Sequence, residues 1–258
     1  MPKRPLQLFE SADRLMRADF HVHSTFSDDA VSTIAENIAA ADAARLETLR
    51  LIDHVRASTT WVPEFLDAVA AEPVPEFLEV LTGVEAKMMD VTGRLDIPAS
   101  IGDLTVVIAD HQFPGTDGPW SPDEVKGRLA NSELSAGDAI AMLFEAYVAA
   151  MRGRPGSQLA HPFSILPKIG IPVTHTVIDE QQTEALQSEF VAVAIETATL
   201  VEVNQKWGVS PILPVRELLQ AELIVPASDA HVASDVGVYG REVLEPVQWA
   251  REPRPRWL

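Results

Sequence analysis

Six of the seven histidines stand at the ends of apolar, strand-like runs, most of them near a carboxylate or another histidine. His21 and His23 close Arg-Ala-Asp-Phe-His-Val-His, His54 closes Leu-Arg-Leu-Ile-Asp-His, and His111 closes Val-Val-Ile-Ala-Asp-His. His161 closes Gln-Leu-Ala-His, and His231 closes Ile-Val-Pro-Ala-Ser-Asp-Ala-His. The chain has no cysteine, so any metal must be held by nitrogen and oxygen. Imidazoles and carboxylates delivered from many strand ends are what a multinuclear metal site requires. One His-x-His pair carries little weight, because alternate residues of any strand face the same side. Six strand-end histidines are much harder to explain by packing. His175 lies outside the pattern and reads as a loop residue without function.

Several cations stand close to these positions. Arg56 is two residues after His54, Lys87 two after Glu85, and Lys206 two after Asn204, while Lys168 follows His161 in the next loop. In a chain of net charge −18, such cations point to an anionic substrate. Each one alone is explained as well by pairing with a local acid. Arg56, Lys87, Lys206 and Asn204 are the candidate substrate-binding residues, although Asn204 equally suits a strand-end turn. Asp53 and Asp110 directly precede histidines, where an acceptor can orient an imidazole; Asp53 is also a candidate catalytic group. Trp61 and Trp207 are pocket-wall candidates that packing explains equally well.

The elements that must carry these residues alternate. Strands are predicted at 18–24, 49–53, 77–85, 104–109, 158–160, 200–203 and 223–227. Helices are predicted at 33–46, 63–71, 121–129, 136–151, 183–195 and 211–221, with Thr33 and Glu36 spaced as a capping box. Residues 191–195 fit a strand as well. Alternating β and α implies parallel strands joined by crossovers. Strands apolar throughout imply a sheet covered on both faces. In a (β/α) barrel, functional residues come from the C-terminal strand ends, where the histidines lie. The insertion between His111 and His161, which holds 114–120 and two helices, reads as a lid or rim.

The 258 residues, 47% of them hydrophobic, suffice for one barrel or two smaller domains, one domain being the simpler account. The acidity disfavours a nucleic-acid polymer as partner. No apolar run reaches the ~18 residues of a membrane span, and the first ten residues lack the apolar stretch of a signal peptide. The expectation is a cytoplasmic protein with an N-terminal extension at 1–17, one domain at 18–245 and an irregular tail at 246–258. The oligomeric state is left open.

Asp-Phe-His-Val-His-Ser-Thr-Phe-Ser-Asp-Asp at 19–29 resembles the first motif of the PHP family, named for polymerases and histidinol phosphatases. Ile-Asp-His at 52–54, Thr-Gly-Val-Glu-Ala at 82–86, His111, Ala-His-Pro at 160–162, Val-Glu-Val-Asn at 201–204 and Ser-Asp-Ala-His at 228–231 resemble later motifs, in family order. Ile52 stands where the family often has threonine, which leaves the substrate class open.

The resemblance implies a distorted (β/α)7 barrel and two or three divalent ions, zinc, manganese or iron. It implies a first ion on His21, His23, Glu85 and Asp229, with Glu85 bridging to a second on His111 and His161. A third would use His54, His231 and an acid of the Asp28–Asp29 pair, Asp28 being favoured. His231 is also a candidate catalytic residue. The implied activity is a metal-dependent phosphoesterase acting on a small phosphorylated metabolite, monoester or diester. Its implied chemistry is in-line attack of a metal-bound hydroxide on phosphorus. An amidohydrolase-type activity on the same metals, and a structural or regulatory module, stay open beside it.

Overall fold

All the predicted strands form. The computed structural model describes residues 16–172, 180–240 and 243; His175, and most of the extension and the tail, lie outside them. The strands are β1 (Ala18–Val22), β2 (Thr48–His54), β3 (Glu79–Lys87), β4 (Thr105–Ala109), β5 (Phe113–Pro114), β6 (Pro119–Trp120), β7 (Gln158–Leu159), β8 (Leu200–Asn204) and β9 (Ile224–Ala227). Seven of them make one sheet in the order β1-β2-β3-β4-β7-β8-β9. Every neighbouring pair in it is parallel.

The sheet curls until its edges meet, giving a nearly closed barrel. Val22 bridges to Ala230, and the His23 N–H donates to the Ala230 carbonyl at 2.9 Å. Asp19 reinforces this seam. Its carboxylate accepts from Ser228 N at 3.0 Å, Ser228 Oγ at 2.5 Å and Gly237 N at 2.8 Å. β1 stops at Val22, two residues before the predicted end, because the following residues turn away to make side-chain contacts under the site.

The helices are α1 (Ile34–Ala43), α2 (Val62–Ala71), α3 (Pro122–Ala130), α4 (Ala136–Gly153), α5 (Ile165–Lys168), α6 (Glu180–Thr197) and α7 (Val215–Gln220). The capping box at Thr33 and Glu36 is present, and Ser121 and Glu124 make another. α6 takes in 191–195, with Phe190, Val193 and Ala194 buried at helical spacing. α7 begins four residues later than predicted, since Pro214 disfavours helical backbone at Leu213. The main apolar cluster lies between the sheet and α3, α4 and α6, and includes Val84, Ile108, Val125, Phe144, Tyr147 and Phe190.

Part of the 114–120 segment packs into this core: Pro114, Gly115 and Trp120 are buried, while Thr116 and Asp117 are exposed. It carries the β5–β6 hairpin, with Phe113 and Trp120 stacked at 5.8 Å. A Cβ at Gly115 would stand 2.3 Å from Trp120 Nε1, so glycine is required there. Among the described residues, no helix is long and apolar enough to cross a membrane.

Candidate metal centre

Parallel register places every C-terminal strand end on one rim. His54 ends β2 directly opposite Glu85 on β3. His21 lies on β1, and His23, His111, His161, Asp229 and His231 follow the ends of β1, β4, β7 and β9. Glu85 is the centre of the group. Its Oε2 lies 3.4 Å from His21 Nε2, 3.4 Å from His23 Nε2 and 2.9 Å from His54 Nε2. Its Oε1 lies 3.1 Å from His111 Nε2 and 3.4 Å from His161 Nε2. Asp229 Oδ1 lies 3.3 Å from His23 Nε2 and 3.8 Å from His21 Nε2. The predicted carboxylates and imidazoles are therefore brought together.

None of these approaches to Glu85 is a hydrogen bond. Among the described residues, both buried Glu85 oxygens lack a hydrogen-bond partner, as do the Nε2 atoms of His111 and His161. Nε2 of His21 also stands 2.9 Å from Nε2 of His23. A folded chain avoids burying unpartnered polar atoms unless something else pairs with them. Cations shared between the inward nitrogens and the Glu85 oxygens match this donor set.

The opposite ring nitrogens explain the convergence. His21 Nδ1 is 2.8 Å from Glu202 Oε1. His23 Nδ1 is 3.1 Å from Ser27 Oγ, which donates to Asp53 Oδ1 at 2.7 Å. His161 Nδ1 is 2.9 Å from Ser164 Oγ, which donates to Asp110 Oδ1 at 2.6 Å. His231 Nδ1 is 2.9 Å from the Asp229 carbonyl. A proton at each Nδ1 satisfies these partners and leaves a lone pair at Nε2, the form a metal ligand needs. Asp229 is itself fixed by Trp207, whose Nε1–H donates to Oδ2 at 2.6 Å. His161 and Asp229 adopt positive φ, 31° and 55°, backbone that side chains rarely take and that recurs at functional sites.

Three sequence assignments change. Asp53, a candidate catalytic group, is buried and spent on structure: it accepts from both the backbone and the hydroxyl of Ser24 and of Ser27. It acts on His23 through Ser27 and does not line the cavity. Asn204, a candidate substrate ligand, is fully buried. Its Oδ1 accepts from the backbones of Lys206 and Trp207, and its Nδ2 donates to Glu202, which is the strand-end turn role. Of the acidic pair, Asp29 has the closer place. Its oxygens lie 3.5 Å from His54 Nδ1 and 3.3 Å from His231 Nε2. Asp28 is 3.9 Å from His54 and pairs with Arg56 at 3.3 Å.

A cavity of about 430 Å³ opens over Glu85, with Arg56, Lys87 and Lys206 in its wall. Lys87 pairs with Asp96 at 3.3 Å, and Lys206 lies 3.7 Å from Asp229 Oδ2. Trp61 packs on Phe26 and Phe65, away from this wall. Burial opposes charge on His161, but with no cation beside its Nε2, Asp110 and Glu85 outweigh burial and push its imidazolium up to about 10; a bound cation would displace the Nε2 proton. Burial is the main influence on His23 and pushes it down to about 3. Burial also opposes the Glu85 charge, yet the surrounding imidazoles hold its carboxyl well below the usual range.

Sequence reasoning missed Glu202, Ser27 and Ser164. Glu202 had one signal, an acid inside an apolar strand two residues from Asn204, on the same face.

A family model described as "PHP domain" matches residues 19–205. A "Probable phosphatase" of Photobacterium profundum is 26% identical over 233 residues, covering 89% of this chain and 83% of that protein. Another, of Caldanaerobacter subterraneus, is 27% identical over 243 residues, covering 91% and 84%. A histidinol phosphate phosphatase from Lactococcus lactis, solved with zinc, L-histidinol and phosphate, superposes with a TM-score of 0.59 at 14% identity, covering 91% of this chain and 93% of that one. That superposition shows a shared fold.

Proposed function

The chain belongs to the PHP domain family, and we propose that it is a metal-dependent phosphoesterase hydrolysing a small phosphorylated metabolite. The observation that carries this reading is the set of five imidazole Nε2 atoms around a Glu85 carboxylate that accepts no hydrogen bond from the described residues. The phosphatase names of the relatives support the same reaction class.

His21, His23, Glu85 and Asp229 would hold one divalent ion, and Glu85, His111 and His161 a second. His54, His231 and Asp29 form a third candidate group. Zinc, manganese or iron suits nitrogen and oxygen donors of this kind. Ions bound there supply Lewis acidity, which acidifies a water and offsets charge developing on phosphoryl oxygens. A bridging carboxylate lowers repulsion between neighbouring cations, as a neutral imidazole cannot.

The chain's own residues do the rest. The Nδ1 partners lock the rings, so the inward nitrogens need no reorganisation. His231 contributes to catalysis as one of these donors, its Nδ1–H committed to the Asp229 carbonyl. Arg56, Lys87 and Lys206 face the substrate's anionic oxygens from the cavity wall. The Arg56–Asp28 pair is largely exposed and weak, leaving the guanidinium free to turn to a phosphoryl group. The cavity volume suits a metabolite rather than a polymer. This chemistry is housed in one domain, 18–245, between an extension at 1–17 and a tail at 246–258.

The test is metal analysis of the purified protein, followed by phosphomonoester, phosphodiester and amide panels with added manganese or zinc. The expected result is bound metal and phosphoester hydrolysis that rises with added metal. Less than about one equivalent of metal, with no rescue by added metal, overturns the reading. Amide cleavage without phosphoester cleavage transfers it to the amidohydrolase class.

A further inference from the structure

Beside the Glu85 cavity lies a second one of about 320 Å³, with Lys168, Lys206, Trp207, Pro211 and Ser210 in its wall. The two cavities share Lys206 and Trp207, so they meet at this pair. Its chemistry is cationic. Lys168 Nζ lies 3.9 Å from the centre of the Trp207 ring, and Lys206 Nζ lies 5.7 Å from the same centre. Lys168 has no ion-pair partner among the described residues. That is unexpected in a chain with 38 acidic side chains against 20 basic ones.

The acid nearest Lys206 is already committed. Asp229 Oδ2, 3.7 Å from Lys206 Nζ, accepts the Trp207 N–H at 2.6 Å. Ser210 lies in the same wall, and its buried Oγ makes no hydrogen bond among the described residues. Two ammonium groups beside one indole repel each other unless an anion lies between them. An anionic oxygen between them would satisfy both ammonium groups through charge-assisted hydrogen bonds. The Trp207 ring and the Pro211 side chain offer apolar surface for a linker.

We propose that this cavity receives a second anionic group of the substrate, so that the site selects organic phosphates whose leaving group carries a carboxylate or a further phosphate. The proposal rests on the phosphoesterase reading, because it needs the reacting phosphoryl group to sit in the neighbouring Glu85 cavity. Lys168 is then a specificity-determining residue. It lies away from the reacting atoms and binds the far end of the substrate.

The test uses the full chain loaded with manganese. Alkylphosphonates of graded chain length, which cannot be hydrolysed at the ester position, are titrated calorimetrically. Each methyl-ended compound is compared with its carboxylate-ended and phosphonate-ended counterparts. At one chain length an anionic-ended compound is expected to bind about tenfold tighter than its methyl-ended match. Lys168→Met should bring that ratio close to unity, while Lys168→Arg keeps most of it. The two kinds of anionic end distinguish a carboxylate from a phosphate. No preference at any length, or a preference that survives Lys168→Met, overturns the proposal. Turnover of the matching phosphate esters is measured in parallel. Hydrolysis without anion preference sinks the subsite and leaves the phosphoesterase reading standing. Anion preference in binding with no hydrolysis of any ester sinks that reading instead.

Discussion

Glu202 Oε1 lies 2.8 Å from His21 Nδ1, with both side chains fully buried beneath the site. The same carboxylate accepts from Gln158 Nε2 at 2.6 Å, Asn204 Nδ2 at 2.9 Å and the backbone N–H of His161 at 3.1 Å. Arg50 donates to Gln158 from the other side. One carboxylate on β8 therefore fixes the ring of His21 and the backbone of His161.

Glu202→Gln tests this positioning role. The amide keeps the shape but removes the charge that makes His21 a stronger donor at Nε2. Metal affinity, measured by chelator competition, should fall by about 10–100-fold. The fold should persist, judged by an unchanged circular dichroism spectrum. Unchanged affinity in a folded variant contradicts the role.

Asp28 and Asp29 separate by their partners. Asp29 reaches His54 and His231, whereas Arg56 beside Asp28 holds that carboxyl below its usual value. Asp29→Ala should weaken binding of the most loosely held ion by at least about tenfold. Asp28→Ala should leave it near the wild-type value. Equal losses in the two variants, or a larger loss for Asp28→Ala, reverse the assignment.

Asp53 sets a pH dependence in the metal-free protein. Burial pushes its carboxyl up to about 6 from 3.8, against the lowering effect of hydrogen bonds from Ser24 and Ser27. Between those values the folded chain keeps a proton that the unfolded chain has lost. Stability present below the unfolded value is therefore lost as pH rises through about 6, by up to about 3 kcal/mol. In Asp53→Asn, where the serine hydroxyls can turn to accept, urea midpoints should lack that fall. A slope identical to wild type contradicts the assignment.

The barrel and most of the site were legible in the sequence because both rest on local pattern. Apolar runs ending in His54, His111 and His231 mark strand ends, and parallel strands bring such ends to one rim. Side-chain commitments were not legible. Asp53 and Asp110 each precede a histidine, yet Asp53 reaches His23, on another strand, through Ser27. Asp110 meets His161 through Ser164 and lies 3.4 Å from its Nδ1. Asp28 and Asp29 are adjacent in a loop, so only the path of that loop decides which one faces His231. Glu202 and Arg50 showed as isolated charges in apolar strands. Their pairing through Gln158 spans three strands and leaves no spacing signal. The insertion that carries the β5–β6 hairpin reads as a lid or rim in sequence, yet Phe113 and Trp120 anchor the base of that hairpin in the core.

Metal counting in Glu85→Gln tests most directly the proposal that Glu85 bridges two cations. Wild-type and variant protein are loaded with manganese or zinc, dialysed together, and analysed by plasma mass spectrometry beside a thermal melt. The wild type should retain at least about two ions per chain. The folded variant should lose most of its metal, together with the metal-induced rise in melting temperature. Metal content equal to wild type in the variant would contradict the account.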